Sequence, residues 1–272
     1  MRFSQVLRPK EPGNARATAV ASAVLVVVFV AGAAVWPWSP KRGLGLFFGL
    51  LAAALFIFEM AYPFRRPKAR PLRTAKAWAQ AHVYLGALAL LAVLIHAGFR
   101  LPKGGLGWAL LLLSLWTTAS GLIGVWLQKW IPAALAEGLH VEALYERIPA
   151  LMEKLAGEAD ALMAGADEVG ERFYRTEVRP SLSRPNPSWA FLLDVRASRD
   201  RALEPFRRVA EFVDPAQKAL IDDLMSIYTE KIELDAHYSL QGILRRWLVL
   251  HVPTAGLLMG LLAVHIFAWA WY

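Results

Sequence analysis

Two stretches decide the fold: Ala77–Ala97, AWAQAHVYLGALALLAVLIHA, and Trp247–Trp269, WLVLHVPTAGLLMGLLAVHIFAW. Each is an apolar run of the roughly 20 residues that a helix needs to cross a ~30 Å hydrocarbon core. Neither contains a Lys, Arg, Asp or Glu, yet each holds two histidines, His82 and His96 in the first and His251 and His265 in the second. Both pairs are 14 residues apart. In a helix that interval rises about 21 Å and closes to within ~40° of four full turns, so the two rings of each pair project from nearly one face.

Three further runs of similar length, Thr18–Trp36, Leu44–Tyr62 and Leu106–Leu127, bring the expected number of spans to five. They account for a composition that is 57% hydrophobic with a mean hydropathy of +0.38, where a soluble domain is nearer half apolar. The expected fold is an all-α polytopic membrane helix bundle. Residues 1–128 hold spans one to four, 129–245 a cytoplasmic helical insertion, and 246–272 the fifth span. Arg2, Arg8, Lys10 and Arg16 ahead of the first run imitate a signal peptide, but the run is long for an h-region and reads as an uncleaved span.

Charge separates the same segments. Of 22 acidic residues only Glu11 and Glu59 lie outside Lys129–Arg245, which carries 20 acids against 15 bases. The remainder carries 15 bases and 2 acids. A pI near 9.9 is therefore explained by bases beside apolar spans, facing lipid headgroups, and nucleic acid is not an expected partner. Arg65, Arg66, Lys68, Arg70, Arg73 and Lys76 crowd the second connection, while the other side has only Lys41, Arg42, Arg100 and Lys103. The positive-inside rule then expects the N-terminus in the cytoplasm and the C-terminus outside, as for a bacterial inner or plasma membrane protein. With no cysteine, the chain can make no disulfide, cysteine-ligated iron–sulfur cluster or covalently attached haem of its own.

Within the insertion, Leu144, Ile148, Leu151, Leu155 and Leu162 predict a helix over Val141–Ala164. Arg179–Pro187, with three prolines and two serines, reads as an irregular loop. Asp214-Pro215 predicts the start of a second helix, with nothing to break it before Pro253.

The third and fifth spans run in the same direction, so His82 is expected level with His251 and His96 level with His265. Each opposed pair can grip one haem iron from both sides, giving two haems. A single histidine in a span could instead be a proton relay. A zinc or nickel transporter would cluster its ligands at one depth with carboxylates, and Glu59 is the only acid near a span interior. His237 repeats the 14-residue interval before His251 but sits among Glu233, Asp235 and Arg245; it and His140 are read as surface or interface residues outside the membrane. Candidate partners for anionic haem propionates are Arg73, Lys76, Arg100, Arg245 and Arg246, all equally explained as span-end anchors. Gly86, Gly121, Gly124, Gly256 and Gly260 could admit a macrocycle or a neighbouring helix. Ser114, Thr117, Thr118, Ser120 and Thr254 are polar candidates for a quinone, although hydroxyls in spans usually bond back to their own helix.

Two parallel helices with histidines 14 apart, His82 with His96 and His251 with His265, resemble the haem-binding core of the cytochrome b of quinol:cytochrome c oxidoreductases. The ferric reductase and NADPH oxidase transmembrane domain is similar. The resemblance covers spans two to five and does not extend to Lys129–Arg245. It implies two non-covalent b haems, His82/His251 and His96/His265, and electron transfer across the bilayer. It also departs from both families: there is no Pro-Glu-Trp-Tyr motif and no nucleotide-binding domain. What it implies is a non-catalytic electron-transfer subunit of a membrane oxidoreductase complex, working with other subunits and with quinone. The rival is a membrane scaffold that docks a soluble partner through the helical insertion.

Overall fold

In lipid a backbone must satisfy its hydrogen bonds within the segment, which leaves an uncharged run of 20 residues little alternative to a helix. The structure, a computed structural model, describes residues 12–60, 75–138 and 145–271, and these are helical with no strand. Arg73, Tyr62 and His140 lie outside the described residues, as does the side chain of Lys76. Two compact units form, one from Met1–Trp126 with Trp247–Tyr272 and one from Leu127–Arg246.

The helices of the first unit are α1 (Pro12–Val35), α2 (Gly43–Met60), α3 (Ala75–His96), most of α4 (Gly105–Gly138) and the last part of the long helix that ends at Trp271. Among the described residues five helices are long and apolar enough to span a membrane. Large aliphatic side chains such as Val27, Leu112, Ile123, Val252 and Leu257 stand exposed on them, as lipid-facing residues do. Phe56 of α2, Ala89 of α3 and Leu258 pack together, joined by Leu110 and Leu113 of α4. Ala52, Ala53, Ala89 and Ala92 are buried, and such small residues let helices approach closely where lipid removes any hydrophobic drive to associate. α3 ends where Gly98 takes φ +64, with Gly98 and Phe99 donating to the carbonyls of Ile95 and Leu94.

The second unit contains a 3₁₀ turn at Tyr145–Arg147, α5 (Ile148–Met163), α6 (Glu168–Phe173), a π turn at Tyr174–Val178, α7 (Arg179–Leu182), α8 (Ala190–Leu193), α9 (Val195–Val209) and the start of α10 (Pro215–Trp271). α5 starts at Ile148, where Pro149 suits a first turn; residues 141–144 of the expected helix lie outside the described residues. Arg179–Leu182 is helical rather than a loop, because Pro180 falls at a first-turn position where its missing N–H costs nothing. α10 begins at Pro215, with Asp214 accepting from Gln217 and Lys218, and runs unbroken through Pro253. Ile148, Met152, Leu155 and Leu234 form the apolar core, and Phe206 lies between Phe173 and Tyr228.

The stretch Lys231–His237 of α10 is buried at every position. Lys231 donates to Asp235 at 2.5 Å, and Asp235 also accepts from the backbone N–H of Asn186 at 2.9 Å. His237 is only 6% exposed, with Gln241 Nε2 3.2 Å from its Nδ1. Of the two placements expected, surface or interface, the surface one is therefore wrong: Glu233 and Asp235 are themselves enclosed, and of the charged neighbours only Arg245 is exposed.

Candidate functional site

Four histidines meet in two pairs inside the first unit. The rings of His82 and His251 have centroids 6.4 Å apart and planes at 82°; those of His96 and His265 are 6.4 Å apart at 84°. The equal 14-residue intervals on α3 and α10 put the two pairs about four helical turns, roughly 21 Å, apart. A metal–imidazole bond of about 2 Å, added to the ~1.1 Å from ring atom to centroid, puts the centroids of two imidazoles sharing one iron roughly 6.2 Å apart. Both pairs match that spacing.

The second nitrogen of each ring decides which one can ligate. His96 Nδ1 lies 2.8 Å from the carbonyl oxygen of Gly45, and a carbonyl only accepts, so Nδ1 carries the hydrogen. His251 Nδ1 lies 2.8 Å from Ser120 Oγ. That hydroxyl already donates to the carbonyl of Thr117 at 3.1 Å, so it accepts from the histidine. His82 Nδ1 contacts the carboxylate of Glu59, again an acceptor. In all three, Nε2 becomes the nitrogen with a lone pair for a metal, held in tautomer and orientation by an outer partner as metal-binding histidines usually are.

Sequence pattern did not identify these outer partners. In the sequence Glu59 stands out only as an acid near a span interior, and Ser120 only as a polar residue within a span. Gly45 acts through a backbone oxygen. A signal for α2 was nevertheless present in Gly45 and Gly49, small residues four apart on one helical face. A Cβ on Gly49 would lie 2.7 Å from both Nδ1 and Cε1 of His96, so only glycine lets the ring rest on α2.

Trp247 stacks on His251 with centroids 5.3 Å apart and donates its N–H to the carbonyl of Ser120 at 2.8 Å. Gly124 makes room for it, since a Cβ there would fall within the indole. Gly121 would place a Cβ 3.6 Å from His251 Cε1, an ordinary contact, and Gly256 and Gly260 meet nothing within 4 Å. A helix contact thus explains Gly124 but neither Gly256 nor Gly260. The hydroxyls of Ser114, Thr117 and Thr254 bond back to carbonyls of their own helices.

Of the residues considered for propionates, Arg100 is exposed at the end of α3. Arg245 and Arg246 belong to the second unit, where Arg245 pairs with Glu146 and lies over the Tyr145 ring, and Arg246 lies 5.8 Å from the Trp189 ring. Among the described residues no three His, Asp or Glu side chains converge as a directly chelated ion would need. Searches against family models, curated proteins and solved structures return no match to this chain.

Proposed function

We propose that this chain is a di-haem b-type cytochrome, the electron-carrying subunit of a membrane oxidoreductase, working between a quinone pool and a partner redox protein. The observation that carries the reading is the pair of 6.4 Å histidine separations, each the span of two imidazoles across one iron. A b haem held between two histidines would supply a one-electron Fe(III)/Fe(II) couple. The chain's own task is then to hold and tune. His82 and His251 would ligate one iron and His96 and His265 the other, through Nε2. Glu59, Gly45 and Ser120 fix three of the rings, so little rearrangement accompanies a change of charge. Apolar residues of α2, α3, α4 and α10 pack together on the helices that carry the pairs.

The basic connection between the second and third spans favours a cytoplasmic 129–245 insertion, with the His82/His251 pair toward that side. This reading is tested by a reduced-minus-oxidised spectrum and iron analysis of the purified chain. It expects a b-type α band and two irons per chain; an iron-free protein with no such band would sink it.

A further inference from the structure

The two histidine pairs are not equivalent in what surrounds them. His82 meets a full carboxylate, Glu59, whose side chain is 11% exposed. Its opposite number on the same helix, His96, meets a neutral backbone carbonyl. On α10, His251 meets a neutral hydroxyl. Glu59 is the only acidic residue in the five apolar runs.

Building on the di-haem reading, we infer that Glu59 makes the His82/His251 haem the lower-potential one, so that electrons run downhill toward the His96/His265 haem. A carboxylate is a stronger acceptor than a carbonyl or hydroxyl and draws the Nδ1 proton toward itself, making the imidazole a better donor at Nε2. A more basic ligand stabilises Fe(III) over Fe(II), and a buried negative charge acts in the same sense because the ferric centre carries one more positive charge. Low dielectric strengthens both effects. No change in protonation of Glu59 is required. Each centre exchanges one electron between Fe(III) and Fe(II), and the chain as a whole gains and loses none. Glu59 touches no iron; it acts through His82 as a tuning residue.

The test is a potentiometric titration of the α band in the purified, haem-loaded full chain. Two one-electron components are expected. Glu59→Gln, which keeps an acceptor but removes the charge, should raise the lower midpoint and leave the higher one in place. Outer-partner changes typically alter metal affinity by about 10–100-fold. A tenfold change in the ferric-to-ferrous preference is about 59 mV for one electron. Both haems retained with neither midpoint moved, or the higher one moved, would overturn the inference while leaving the di-haem reading intact. His265→Ala gives an independent check that leaves Glu59 in place. It should remove one haem, and the survivor should titrate at the lower midpoint; a survivor at the higher midpoint overturns the assignment. Absence of any b-type component from the unaltered chain defeats the di-haem reading itself.

Discussion

Gly49→Ala is a small perturbation with a large expected effect at one rung. The added methyl would lie 2.7 Å from Nδ1 and Cε1 of His96, where ordinary contact begins near 3.4 Å. The ring must retreat from α2 by about 0.7 Å. Its 2.8 Å bond to the Gly45 carbonyl lies on the same side, so the retreat stretches it toward 3.5 Å, where little of a hydrogen bond is left. The lost bond is worth about 1 kcal/mol, and loss of an outer partner costs roughly tenfold or more in metal affinity. The assay is transfer of haem from the purified chain to an excess of a haem-scavenging globin. One haem should leave about tenfold faster and the other, at His82/His251, at its unaltered rate. If both haems left at their original rates, the packing of His96 on α2 would have no part in holding it.

Four more outcomes follow from the same geometry. Ser120→Ala removes the acceptor for His251 and should speed loss of the other haem by about tenfold in the same assay. Gly124→Ala should destabilise the bundle by about 1–3 kcal/mol, because Trp247 must leave its place, while Gly121→Ala, with its methyl at 3.6 Å, should melt like the unaltered protein; equal melts for the two would contradict the packing described. Asp235→Ala leaves Lys231 buried and unpaired and should cost about 3–5 kcal/mol, whereas Lys231→Met with Asp235→Leu should cost far less; thermal unfolding compares them. The Tyr174 hydroxyl, and after it Arg179, hold the Asp160 carboxyl below its ordinary value of 3.8. Its contribution is thus full above that value and is lost as pH falls through the lower folded value. Melts of the unaltered protein and Asp160→Asn should differ by a constant amount at pH 5–7, and the gap should narrow as pH falls below 3.8; a gap that does not change with pH would refute this.

The helices and the histidine pairs could be read from the chain alone because each depends on order along one segment. Run length determines whether a helix can span, and a 14-residue interval determines that His82 and His96 share a face. The outer partners depend instead on how far α2 and α4 slide along α3 and α10. Apolar periodicity leaves that sliding open, so nothing in the sequence joined Glu59 to His82 or Ser120 to His251. Gly45 was harder still, since its contribution is a main-chain oxygen. His237 misled for a different reason. Its charged neighbours Glu233 and Asp235 suggested solvent, but that turn of α10 is wrapped by its own unit, which supplies Lys231 and the Asn186 N–H to Asp235.

The central claim is that each opposed pair shares one iron, and haem counting across four single variants tests it most directly. His82→Ala, His96→Ala, His251→Ala and His265→Ala would each be titrated beside the unaltered chain. Two haems per chain are predicted for the unaltered protein, with His82→Ala and His251→Ala depleting the same spectral component and His96→Ala and His265→Ala the other. Depletion of different components by His82→Ala and His251→Ala, or four variants that all keep both haems, would contradict it.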